Sequence, residues 1–110
     1  MKNTSLFLLS LFSFILIASC NKDDTEVFYW DETSCSDPWQ TNYNDTDEEK
    51  KANIELYLTD KNIEVEGINF EYDSSKVTFC TACNCTTGNV IGIKVSSKDK
   101  EKMEELNFYQ

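Results

Sequence analysis

At 110 residues the chain has room for one small domain and no more. Lysine supplies all 10 of its basic residues against 20 Asp and Glu, a formal net charge of −10, so there is no basic footprint for DNA or RNA, whose binding releases counterions through Lys and Arg. With no histidine anywhere, neither a Ser-His nor a Cys-His nucleophile can be assembled.

In chain order, Met1-Lys2-Asn3 carries one cation, Leu6 to Ile17 is almost wholly apolar, and Ala18-Ser19 closes the segment with small residues. This is the three-part plan of a secretory signal over residues 1–19. The apolar run is shorter than the roughly 20 residues a membrane-spanning helix needs.

Ile17-Ala18-Ser19-Cys20 resembles the lipobox of bacterial lipoprotein precursors: a branched apolar residue, two small ones, then cysteine. The resemblance implies cleavage before Cys20, a thioether-linked diacylglycerol on its sulfur, and a further acyl chain on the new amine. Two or more acyl chains give stable anchoring, where one is marginal. Lys22-Asp23-Asp24 is similar to the surface-export tag of Bacteroidota lipoproteins. It implies an outer-membrane lipoprotein exposed at the cell surface, with the periplasmic face as the alternative.

Residues 20–29 read as the lipidated cysteine and an acidic tether, and residues 30–110 as the domain. Val27-Phe28-Tyr29-Trp30 is abruptly aromatic. It suits a strand added to a sheet edge, a segment packed over the core, or a contact patch. Pro38 marks a turn, and Trp39 is placed to anchor the arm on the domain.

Asp45 to Glu49 opens a helix, with Thr46 and Glu49 at capping-box spacing and acids at the positive end of the dipole. Ala52, Ile54, Leu56, Tyr57 and Leu58 form its apolar face, and Lys61 lies in its last turn. Asn62 takes the left-handed stop position, followed by apolar Ile63. A second helix near the C-terminus repeats this grammar: Ser96 or Ser97 caps, Met103 and Leu106 face inward, and Asn107-Phe108 ends it.

Three strands are expected between the helices. Ile63 and Val65 alternate, then the phase shifts across Glu66-Gly67 to Ile68, Phe70 and Tyr72, which predicts a bulge near Gly67. Asp73-Ser74-Ser75 turns the chain into a strand with Val77 and Phe79, and Ile91, Ile93 and Val95 mark the next. The expected fold is α+β: an α-β-β-β-α domain with a three-stranded antiparallel meander and both helices on one face, expected to be monomeric.

Beyond Cys20 there are four cysteines, Cys35, Cys80, Cys83 and Cys85. An even number in a small exported domain reads as two disulfides, which supplement a core too small to be very stable alone. A bridge between Cys83 and Cys85 is strained. Two pairings remain, Cys35–Cys83 with Cys80–Cys85, which is preferred, and Cys35–Cys85 with Cys80–Cys83.

Competing uses of the cysteines are a tetrahedral Zn²⁺ or a Cu(I) site and thiol redox chemistry. The C-x-x-C-x-C spacing lacks the paired pattern of a zinc ribbon. Cys80-x-x-Cys83 leaves a strand for a turn, without the helix N-terminus or cations that lower a reactive thiol's pKa. Asn42, Asn44, Asp45, Asp47 and Glu49 invite a calcium loop but lack its central Gly and terminal Glu. No cofactor, metal or catalytic residue is expected. The function expected is a lipid-anchored, non-enzymatic binding or envelope module, with metal-binding or redox use of Cys80, Cys83 and Cys85 as the alternative.

Overall fold

The structure is a computed structural model and describes residues 24–39 and 45–110. The signal segment, Cys20, Lys22, Asp23, Asn42 and Asn44 lie outside the described residues. The domain is α+β: a three-stranded antiparallel sheet, two helices and two disulfides. In chain order the elements are β1 (Thr25–Thr33), α1 (Asp47–Asp60), β2 (Val65–Val77), β3 (Thr86–Ser96), a 3₁₀ turn (Ser97–Asp99) and α2 (Lys100–Glu105).

The connectivity differs from the expected meander between two helices. The aromatic run Val27 to Trp30 lies within β1, and β3 is the central strand, giving the order β1-β3-β2. Val77 ends β2, and Phe79 lies beyond it, 99% exposed. Strand β1 also moves the domain boundary. It begins at Thr25, so residues 25–29 belong to the sheet and not to the tether.

Phe28 sits opposite Ile93 and Trp30 opposite Ile91, while Ile68 and Phe70 of β2 face the same two β3 residues. Paired residues of a pleated sheet project to the same side, so these apolar side chains make one face. Ile54 and Leu58 of α1, Met103 of α2, Trp39 and Phe108 join Phe28, Ile91, Ile93 and Val95 in a single core over it. Both helices therefore cover one face of the sheet.

Helix α1 is capped as the sequence predicts: the Thr46 hydroxyl accepts a hydrogen bond from the Glu49 N–H at 3.2 Å. Its buried residues are Lys50, Ile54 and Leu58, spaced four apart on one stripe. Leu56, expected on that stripe, points out and is 70% exposed. The helix ends in a Schellman motif. Asn62 is left-handed (φ 60°), its N–H bonds to Thr59 O, and the Ile63 N–H reaches back to Leu58 O, both at 3.0 Å.

The C-terminus repeats the device. Asn107 has φ 71°, its N–H bonds to Glu104 O at 3.0 Å, and the Phe108 N–H bonds to Met103 O at 3.1 Å. Phe108 and Met103 are both buried, the apolar contact this motif favours. The start of α2 departs from expectation. A 3₁₀ turn intervenes, Ser96 makes no side-chain cap, and its buried Oγ has no hydrogen-bond partner among the described residues.

The phase slip read at Glu66-Gly67 is a bulge: Val65 pairs with Val95, and Gly67 pairs with the adjacent Lys94. Asp73-Ser74-Ser75, expected to separate two strands, is instead an excursion inside β2. Tyr72 pairs with Asn89 and Val77 with Thr87, so five steps on β2 oppose two on β3. Asp73 closes it by accepting from the Ser75 N–H (2.9 Å) and hydroxyl (2.6 Å). These bonds favour the carboxylate and hold the Asp73 pKa below its ordinary value. Gly88 lies beneath at φ +95°, where an added Cβ would come within 2.7 Å of Tyr72 and Val77, so only glycine suits the site.

Candidate functional site: the disulfide-stapled end of the sheet

The four domain cysteines meet at one end of the sheet. Cys35 is bonded to Cys83 and Cys80 to Cys85, with Cα separations of 4.5 and 6.0 Å. This is the preferred pairing of the two left by the sequence. Backbone bonds hold the same junction: Ser34 N donates to Cys85 O at 2.9 Å and Cys35 N to Cys83 O at 3.0 Å. The segment following β1 is thereby fastened to the tip of the β2–β3 hairpin. All four of these sulfurs are in disulfides in the structure.

Above the bridges, Asp37 organises the turn. Its Oδ1 accepts from Trp30 Nε1 (2.9 Å), the Thr33 hydroxyl (2.8 Å) and the Thr33 N–H (3.1 Å). That turn delivers Trp39, 7% exposed, onto Trp30, Tyr57 and Phe108, at ring-centroid distances of 5.3, 5.9 and 6.2 Å. The anchoring role read for Trp39 is what the fold shows. In the same way, Val27 to Trp30 divides between faces: Phe28 is fully buried, and Trp30 packs on the core.

Two polar clusters were not foreseen. Glu32, 7% exposed, pairs through Oε2 with Lys50 Nζ at 3.1 Å, while its Oε1 accepts from Thr87 Oγ1 and Asn89 Nδ2, each at 3.0 Å. The pair closes the core between β1, β3 and the first turns of α1. Glu32 lies in phase with Phe28 and Trp30, so strict alternation along β1 already pointed it inward.

The second cluster lies on the opposite sheet face. Lys76 Nζ contacts Asp31 Oδ1 at 3.1 Å and donates to the Tyr109 hydroxyl at 2.8 Å, and that hydroxyl donates to Asp31 Oδ1 at 2.5 Å. Tyr29 and Tyr109 exchange two backbone bonds beside it, at 2.6 and 3.1 Å. Together these latch the C-terminal residues to the edge of β1. The bonds to Tyr109 and Asp31 raise the Lys76 pKa, and burial followed by the bond to Asp31 raises that of Tyr109. Both groups therefore keep their protons at neutral pH.

Among the described residues, no three His, Cys, Asp or Glu side chains converge as a metal site, and no helix is long and apolar enough to cross a membrane. Asp47 and Glu49, read as calcium-loop candidates, stand in the first turn of α1, where they complement the helix dipole. These side chains fasten the fold. What they leave open to solvent is the hairpin tip with Phe79, and the outer edge of β2.

No protein-family model, no curated protein and no solved structure matches this chain.

Proposed function

We propose that the chain is a bacterial lipoprotein, anchored in the outer membrane through acyl chains on Cys20, whose domain serves at the cell surface as a non-enzymatic binding or envelope module. The observation that carries this reading is Ile17-Ala18-Ser19-Cys20 behind a short apolar segment. Lys22-Asp23-Asp24 supports the surface over the periplasmic face. The start of the fold adds a consequence. The Asp24 carbonyl already accepts from Ser97 N at 2.8 Å, and Cys20 lies four chain steps before it, a reach of at most about 14 Å. The domain is then held close to the bilayer. On this reading the start of β1, at Thr25, is where the tether joins the sheet. The acidic surface is repelled by anionic lipid, so the acyl chains carry the attachment.

The test is fractionation of cells carrying the natural chain or Cys20→Ala. The natural chain is expected in the outer membrane and open to protease added to intact cells, and the variant is expected to lose membrane retention as a lipoprotein. Protection from protease would move the domain to the periplasmic face. Identical behaviour of the two chains would overturn the reading.

A further inference from the structure

Strand β2 is the outer strand of the sheet, and among the described residues no strand pairs with its far edge. Between the bulge at Glu66 and the excursion after Tyr72, residues Gly67 to Tyr72 keep unbroken register with β3. Such an edge leaves alternate backbone N–H and C=O groups facing solvent and ready for another strand. The two irregularities bracket this stretch without interrupting it. Ile68 and Phe70 are only half-buried and Tyr72 is 67% exposed, so the apolar face of the sheet continues to the open edge.

Charge decides what the edge can accept. Glu66 and Glu71 are exposed along β2, Glu64 just before it and Glu55 on the neighbouring helix are exposed too, and none has an ion-pair partner among the described residues. At the start of β2 lies an open groove of about 440 Å³ lined by Glu55, Thr59, Asn62, Ile63, Glu64 and Val65. Ile63, 1% exposed, and half-buried Val65 give it an apolar floor, with the two glutamates above. A lysine or arginine fits this chemistry, its methylenes on the floor and its charge beside the carboxylates. A second copy of the chain does not fit, because it would set acidic strands against each other.

We propose that the free edge of β2 takes up an extended, cationic segment of another protein as an added strand, with one Lys or Arg side chain seated in the Glu55–Glu64 groove. This deepens the reading of the chain as a binding module and is independent of its anchor. If it fails, the acyl modification, read by mass, is untouched.

The test uses the full chain, ¹⁵N-labelled in non-ionic detergent, titrated with a nine-residue peptide of alternating Lys and Val. Saturable binding is expected, with amide exchange slowed at least tenfold at alternate positions within 67–72. The double variant E55K/E64K, with its amide spectrum otherwise preserved, is expected to bind at least tenfold more weakly. The same peptide N-methylated at every backbone nitrogen keeps its charge but cannot pair, and is expected not to slow exchange. Equal binding of the N-methylated peptide, shifts scattered over the acidic surface, or occupation of the edge by a second copy of the chain would overturn the proposal.

Discussion

Cys35 and Cys83 are 48 positions apart in the chain and 4.5 Å apart at Cα, and their disulfide closes a loop that contains α1 and β2. Cys80 and Cys85 close only a short loop, of five steps. In the chain-entropy account the long bridge contributes about 4 kcal/mol and the short one about 2 kcal/mol, by restricting the unfolded chain. The net stability of a small domain is about 5 kcal/mol or somewhat more, so the long bridge decides whether the fold persists. Urea unfolding of Cys35→Ser/Cys83→Ser is expected to show the larger loss, and that of Cys80→Ser/Cys85→Ser about half as much. A reversed order would contradict the role assigned to the long loop.

Glu32 and Lys50 should behave as a buried pair. Replacing Lys50 by Met strands a carboxylate that still has Thr87 and Asn89 but no counter-charge. The expected cost is about 3 kcal/mol or more, because an unpaired buried charge is far worse than no pair. Adding Glu32→Gln should recover part of that loss. Denaturant midpoints of the two variants check the sign of the difference.

Ser96 offers the opposite case. Its hydroxyl is buried without a partner among the described residues, and an unmet buried polar group is unfavourable by about 1–3 kcal/mol. Ser96→Ala keeps the backbone and removes that group. It is expected to raise stability by about 1 kcal/mol, read as a higher urea midpoint at unchanged slope.

The C-terminal latch should weaken in alkali. Lys76 and Tyr109 both have raised pKa values in the folded chain, so each binds its proton more tightly folded than unfolded. Their contribution is fully present below the ordinary values of the two groups, about 10, and is lost as pH climbs through the raised folded values. Unfolding measured in steps above pH 9 should show this decline, with a shallower one in Tyr109→Phe. Asp73 has the opposite sign. Its lowered pKa gives a contribution present above the ordinary carboxylate value and lost as pH falls through the folded one. Protection of the Ser75 amide from exchange is expected to decrease there.

What was legible in the sequence was local. Asn62-Ile63 and Asn107-Phe108 carry both parts of a Schellman stop within two residues, and Thr46 sits three before Glu49. The slip at Gly67 shows as a broken alternation. The disulfide pairing was narrowed by the short spacing of Cys80, Cys83 and Cys85. What was not legible depends on partners far along the chain. Nothing beside Phe28 says that it pairs with Ile93, so β1 could have been a patch or a tether. Asp73-Ser74-Ser75 has turn chemistry, and the same side-chain-to-backbone bonds close a bulge when the strands on either side share one partner. Nothing local marks Glu32 and Lys50 as a pair, although alternation along β1 puts Glu32 in line with Phe28 and Trp30. Ser96 failed as a cap because the chain enters α2 through a 3₁₀ turn.

The central claim joins an acyl anchor at Cys20 to a domain stapled by two disulfides, and one measurement reads both halves. It is the intact mass of the chain extracted from envelopes, after alkylation in denaturant with and without prior reduction. The account predicts a chain beginning at Cys20, carrying diacylglycerol and a further acyl group, that takes up no alkyl group before reduction and four after it. A chain that still begins at Met1, an unmodified Cys20, or thiols that alkylate without reduction would contradict it.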